Sequence, residues 1–256
     1  MLSKSQISLL KSLQHKKDRI RYGLFLVEGY KSVIEFINSP YQIEAIYHTA
    51  SFNPKVLKLS QKINLSEISV TDIEKISSLK TPQQITALVK IPVWPAISNI
   101  KLKGKFSLVL DGIQDPGNMG TIIRTADWFG ITDIICAEDT VDVYNPKVIQ
   151  ASMGSLSRIN VHYVDLAGVL NQTGLPVFGA LLNGESIYTT NFGNEGLIIM
   201  GNEGNGIRPE IEKIDQQSSN HTAHGKSRII KCCYSGCYIL FRNKQKFPII
   251  MLAANK

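Results

Sequence analysis

From Phe106 onward the chain repeats one rhythm, a short apolar run followed by a helical stretch, in units of about 20–30 residues. Phe106–Leu110, Ile131–Cys136, Val161–Val164, Val177–Leu182 and Leu197–Met200 read as strands. Gly120–Phe129 and Pro146–Met153 read as helices between them. The strand runs lack the apolar–polar alternation of a half-solvated sheet, so both faces must be covered. Strands of that kind alternating with helices predict an α/β fold on a mostly parallel sheet. Upstream, Ser5–Leu13 and Gly29–Ile37 read as helices, and Leu24–Val27, Ile43–His48 and Ile85–Val89 as strands. The break Ile91-Pro-Val-Trp-Pro95 and the polar stretch to Lys105 divide the two patterns. The predicted organisation is a small α/β module over 1–92, a linker over 93–104, a larger α/β domain over 105–213, and a tail over 214–256.

Composition narrows the class. At 256 residues and 43% hydrophobic content the chain can build substantial cores. No apolar run approaches the length of a membrane span, and Met1–Leu10 carry no signal-type core. Four cysteines are too few for a disulfide scaffold, which predicts a cytoplasmic, reducing compartment. The net charge of +7 is unevenly spread. Residues 1–92 hold 13 Lys and Arg against 7 Asp and Glu; residues 93–213 hold 8 against 13; residues 214–256 hold 7 against 1. A basic N-terminal module joined to an acidic domain predicts that the module holds a polyanion while the domain does something else. The alternative is an ordinary solvated surface.

Two strand-end loops stand out. Ligands of open α/β sheets bind at the carboxyl ends of strands. After the first strand of the larger domain comes Asp111-Gly-Ile-Gln-Asp-Pro-Gly-Asn118-Met-Gly120, and Arg124 follows, expected about one turn into the next helix. A carboxamide and a guanidinium beside a helix N-terminus suit a phosphate or ribose. Arg124 pairing with Asp127 or Asp133 is the simpler alternative. The second loop, Gly201-Asn-Glu-Gly-Asn-Gly206, lets a backbone approach a ligand closely. It lacks the Gly-Lys-Ser/Thr of a P-loop and the glycine spacing of a dinucleotide fingerprint, and no helix is expected after it. Glu203 argues against a phosphate cradle and for a ligand with positive charge, such as a sulfonium. A plain tight turn is the alternative.

Taken together, these segments resemble a known family. Asp115-Pro-Gly-Asn-Met-Gly-Thr-Ile-Ile-Arg-Thr-Ala-Asp-Trp-Phe-Gly130 resembles the first motif of SpoU/TrmH-type RNA 2′-O-ribose methyltransferases of the SPOUT superfamily. Ile198–Ile207 resembles their second motif, and Asn145–Gly154 a segment between the two. Gly23-Leu-Phe-Leu-Val-Glu-Gly29 and Thr81-Pro-Gln-Gln84 resemble the small α/β substrate-binding domain of many members. The resemblance implies a trefoil-knotted parallel-sheet domain, a homodimer, S-adenosyl-L-methionine as methyl donor, and a structured rRNA or tRNA substrate, rRNA being favoured. It implies that Asn118 and Arg124 act at the ribose hydroxyl or the adjacent phosphate. Arginine as a literal base is awkward, because its pKa exceeds about 12. Leu181, Leu182, Gly201, Glu203 and Gly204 would hold the methyl donor. Lys11, Lys16, Lys17, Arg19 and Arg21, with Glu28, would contact RNA without reading bases.

The tail departs from that pattern. A third motif, approximately Ile-Pro…Glu-Ser-Leu-Asn-Val-Ala, is expected after Lys213 and is absent. His221, His224, Cys232, Cys233 and Cys237 match no common zinc spacing, so no metal site is expected. Back-translating Lys226–Phe241 with permitted codons and reading one nucleotide later can give KAESLNVAIAAAIFY, which contains the missing motif. Ser219–Thr222 shifted likewise permit Pro-Ile-Ile-Pro. The pattern points to a change of reading frame just after residue 213. It leaves two readings open, an active methyltransferase or an RNA-binding chain that has lost catalysis.

Overall fold

The computed structural model describes residues 2–59, 63–97, 101–181, 191–217 and 228–231. They fold into two compact units, one built from the described residues of 2–93 and 142–158, the other from those of 94–141 and 159–231.

In the first unit, β1 (Leu24–Glu28), β2 (Ile43–His48), β3 (Asn64–Glu67) and β4 (Ile85–Lys90) form a sheet in the order β1-β4-β2-β3. β4 runs antiparallel to both neighbours, and β3 lies parallel to β2. The helices are α1 (Lys4–Ser12), α2 (Lys16–Tyr22), α3 (Tyr30–Ile37) and α4 (Val70–Ile76). Ser3 caps α1 in a reciprocal box with Gln6, and Ser69 caps α4. Leu10, Leu13, Tyr47, Ile68, Ile73, Ile76 and Leu88 form a core on one face of the sheet. Residues 142–158, including α6 (Pro146–Ser152), belong to this unit although they fall within 105–213 of the chain. Tyr144 packs 4.7 Å from Phe25, centroid to centroid, and a Cβ at Gly154 would meet Glu35.

Arg19 ties this inserted segment down. Its side chain is 2% exposed, with Nε 3.0 Å and Nη2 2.5 Å from Asp142 Oδ2. Nη1 donates to the carbonyls of Leu13 at 2.8 Å and Gln14 at 2.9 Å. Arg19 is thus a structural residue, and the expectation that it contacts RNA is corrected. A guanidinium with four donor contacts inside the fold has no face left for a phosphate.

In the second unit, β5 (Phe106–Asp111), β6 (Asp133–Ala137), β7 (Asn160–Val164), β8 (Val177–Leu181), β9 (Gly196–Gly201) and β10 (Arg228–Lys231) form a wholly parallel sheet in the order β10-β8-β9-β5-β6-β7. The doubly covered runs behave as expected: β6 is buried throughout, and β5 and β9 nearly so. α5 (Pro116–Trp128) packs Met119, Ile122, Ile123 and Ala126 inward. α7 (Leu166–Thr173) runs from an Asp165 N-cap to a left-handed Gly174, and α8 (Pro209–Gln217) follows the glycine-rich loop. That helix contradicts the expectation that none follows Gly206; its Ile211 and Ile214 pack on Val109, Ile135, Leu197 and their neighbours. Leu102 is buried in the same core and Ile97 packs against it, so the segment 93–104 is partly structural. Chain order reverses at β5, which has β6 on one side and β9 on the other. This is the switch point at which parallel sheets open a crevice.

Asp133, 3% exposed at the start of β6, accepts from Lys105 Nζ at 2.6 Å, Thr132 Oγ1 at 2.7 Å and Asn160 Nδ2 at 3.2 Å, with His162 Nε2 at 3.5 Å. Burial alone would raise its pKa, but those four groups outweigh it and hold the carboxyl below the ordinary range.

Two predictions follow from these pairs. Arg19→Ala leaves the mostly enclosed Asp142 carboxylate without its cation and should destabilise the first unit by about 3 kcal/mol, measured by urea unfolding. A depressed carboxyl stabilises the fold above its unfolded pKa of about 3.9 and loses that contribution as pH falls through the folded value. Asp133→Asn should therefore lower stability at pH 7 and flatten the acid limb of the stability–pH curve below about pH 4.

Candidate functional site

The site lies in the second unit, at the carboxyl ends of β5 and β9. Asp111 and Gly201 are register partners on these adjacent strands, so the loops that follow start side by side. Asp111 is 1% exposed and takes three contacts from Arg208: its backbone N–H at 2.7 Å, Nε at 2.6 Å and Nη2 at 2.6 Å. The Arg208 guanidinium is raised in pKa chiefly by its hydrogen bond to Asp111. This clamp fixes the far end of the glycine-rich loop to the end of β5.

Between the two anchors the loop closes on itself. Asn202 and Gly206 exchange backbone hydrogen bonds at 2.9 Å in each direction. Asn202 Oδ1 accepts from Gly204 N at 2.9 Å and Asn205 N at 3.1 Å, while its Nδ2 donates to Gly112 O at 2.8 Å. One carboxamide therefore shapes the second loop and joins it to the first. A Cβ at Gly201 would fall on the Gly206–Ile207 peptide, and Gly206 sits at φ +72°. Glycine is required at the first for space and at the second for conformation.

α5 starts four residues earlier than its apolar pattern suggests. Asp115 is its N-cap, accepting from Asn118 N at 2.7 Å, and Pro116 occupies the first turn. Asn118 is therefore a first-turn residue rather than a loop residue, and its Nδ2 donates to Glu203 Oε1 at 2.9 Å. The structure thus brings together Asn118, Gly201 and Glu203, with Gly204 on the exposed turn beside them. Arg124 lies two turns along α5, not one, about 12 Å from its start at 1.5 Å per residue. It is exposed and makes no hydrogen bond or ion pair among the described residues, with Asp127 and Asp133 included. Leu181 ends β8, and Leu182 lies outside the described residues, as do the tail histidines and cysteines.

In the first unit Lys11, Lys16, Lys17 and Arg21 are exposed, and the Arg21 guanidinium sits 5.2 Å over the Tyr22 ring. Glu28 is engaged by its own unit: it accepts from Ser77 Oγ, from Ser78 N at 2.9 Å and from Ser78 Oγ at 2.7 Å. Sequence reasoning missed Asp111, Asn202 and Arg208. A charged residue ending a buried apolar strand was the signal available for Asp111.

A site held by close backbone approach has a testable consequence. Gly201→Ala should push the loop off Gly206 and lower stability by about 1–3 kcal/mol, with the largest amide shifts in an NMR spectrum falling at residues 202–208.

The chain is similar to known proteins. Residues 105–227 match the SpoU rRNA methylase family, and residues 4–87 match an MRM3-like substrate binding domain. The chain is 32% identical over 214 residues to the 23S rRNA (guanosine(2553)-2′-O)-methyltransferase RlmP of Bacillus subtilis, covering 80% of this chain and 82% of that protein. A TrmH-family protein from Porphyromonas gingivalis is 34% identical with a TM-score of 0.76, covering 91% of this chain and 90% of that one. The SpoU methyltransferase AviRb from Streptomyces viridochromogenes, solved with AdoMet, shares the fold at 19% identity and a TM-score of 0.77, covering 94% and 92%. With its two motif loops joined at the β5–β9 switch point and these likenesses along its length, the chain belongs to the SpoU rRNA methylase family.

Proposed function

We propose that this protein transfers a methyl group from S-adenosyl-L-methionine to a ribose 2′-hydroxyl of structured rRNA, as a knotted homodimer in the cytoplasm. The observation that carries the reading is the Asn118–Glu203 hydrogen bond, which joins the two motif loops at the switch point. The name of the Bacillus subtilis relative, a 23S rRNA 2′-O-methyltransferase, favours rRNA over tRNA.

The residues fit the donor. The glycine-rich turn offers close backbone approach, and Glu203 places a carboxylate where a sulfonium would be attracted. S-adenosyl-L-methionine, when bound, supplies an electrophilic methyl group. Gly201, Glu203 and Gly204 would hold it, with Leu181 and Leu182 completing the pocket. Asn118 orients the ribose hydroxyl from the first turn of α5. Arg124, permanently charged, steadies the phosphate beside that ribose and does not act as a free base. The task is alignment, which a misplacement of one ångström defeats. Lys11, Lys16, Lys17 and Arg21 supply exposed charge for the RNA backbone.

A second reading concerns the chain as it stands. The third motif is absent from 214–256, while a shifted frame of Lys226–Phe241 can encode it. We infer a change of reading frame in that region, with the present chain a binder of RNA that lacks catalysis. Sequencing the source DNA across codons 205–245 tests this: the Ser-Leu-Asn-Val-Ala segment in frame makes the tail an artefact, and codons for Lys226–Phe241 in frame make the loss real.

With the frame restored, the protein should methylate an rRNA transcript, and Arg124→Ala should lower kcat by about 100-fold or more while donor binding is retained. Mass spectrometry of digested RNA reads the 2′-O-methyl nucleoside. A restored protein that methylates nothing, or an Arg124→Ala variant of full activity, overturns the reading.

A further inference from the structure

The first unit has a groove that the proposed chemistry does not use. It opens where the ends of β1 and β2 meet the start of β4, an arrangement set by the pairings Glu28↔Thr86 and His48↔Ile85. Tyr30, the first residue of α3, stands on one side; Phe52, in the loop after β2, stands 6.0 Å away, centroid to centroid. Val56 extends the apolar wall, and Asn53, Gln83 and Gln84 supply carboxamides along it. The volume is about 570 Å³, within the span of small-ligand sites.

Three features define what this groove accepts. Among the described residues its lining carries no charged side chain, although residues 1–92 carry a net charge of +6, from 13 basic and 7 acidic residues. A phosphate would gain nothing here. Tyr30 is 43% exposed and Val56 42%, so the apolar wall faces solvent instead of closing a core. The Gln84 carboxamide makes no hydrogen bond among the described residues, so its donors and acceptor remain available; Gln83 uses only Nε2, toward Thr81 O at 3.2 Å. An aromatic wall beside uncommitted carboxamides matches the flat, aromatic and uncharged part of a nucleotide: a base that stacks on its face and is read at its edge.

We propose that this groove takes a single unpaired nucleobase of the substrate RNA, stacked on Tyr30 and Phe52 and hydrogen-bonded by Gln84. Exposed lysines hold the RNA backbone without regard to sequence, whereas this groove selects RNA that presents an unpaired base. The substrate class is therefore a loop or bulge, and not a continuous duplex. This inference rests on the RNA reading above and adds to it.

The test uses the full chain, which needs no methyl donor for RNA binding. Fluorescence anisotropy compares an RNA hairpin carrying an unpaired loop with a blunt RNA duplex of the same stem. A 2-aminopurine in the loop reports stacking by its quenching. The protein should prefer the hairpin and quench the 2-aminopurine. Tyr30→Leu should weaken hairpin binding by about tenfold, leave duplex binding unchanged and remove the quenching. Tyr30→Phe should restore all three, and Gln84→Ala should reduce discrimination among loop bases. Equal weakening of hairpin and duplex, or hairpin binding insensitive to Tyr30→Leu, overturns the groove and leaves the RNA reading standing. Failure of the unaltered chain to bind either RNA overturns both. Light scattering covers another occupant: self-association abolished by Tyr30→Leu assigns the groove to a second copy and overturns the nucleobase.

Discussion

Asp111 carries its carboxylate into the interior at the end of β5, where an unpaired charge would be strongly unfavourable. Arg208 meets it with a backbone N–H and two guanidinium nitrogens, from a position 97 residues further along the chain. That clamp, together with the Asn202–Gly112 hydrogen bond, decides where the glycine-rich loop lies. Gly201 can pass against the Gly206–Ile207 peptide only because it lacks a side chain, and Glu203 reaches Asn118 only because the loop is held against β5. A parallel sheet with its order reversing at β5 creates the crevice; the pair of buried Asp111 and half-exposed Arg208 ties the loop to the end of β5.

The doubly buried strands were easy to find from sequence. β5, β6, β8 and β9 are apolar runs of the right length, and their β-branched residues have no helical spacing. Elements held by capping or by distant partners were harder. α7 is framed by Asp165 and Gly174, ordinary start and stop signals, but it is only 8 residues long. The start of α5 was obscured by Gly117 and Gly120, although Asp115-Pro116 marks it. α2 has no apolar period, because what holds it is a single arginine. Arg19 sits in a run of basic residues and was grouped with them as a phosphate contact. Its partner, Asp142, is 123 residues away, so no local pattern separates it from Lys16, Lys17 and Arg21, which do face solvent.

The candidate site was legible to the extent that its chemistry is written in local motifs. Asn118, Gly201, Glu203 and Gly204 stand in two short segments, and the sheet topology brings them together. The residues that hold those segments in place are scattered singly through the chain. Arg124 is a different case: its motif position is clear, yet the helix starts early enough to leave it exposed and away from Asn118.

The first unit offers exposed lysines and an aromatic groove, and the acidic stretch 93–213 carries the glycine turn with its Glu203 carboxylate. The central claim is that this turn is the methyl-donor site. Isothermal titration of S-adenosyl-L-methionine tests it most directly, using the frame-restored protein and its Gly201→Ala variant. The account predicts one donor per chain for the restored protein and loss of that binding in the variant, with both still folded. A folded, frame-restored protein that takes up no donor, or a Gly201→Ala variant that binds it equally well, would contradict the account.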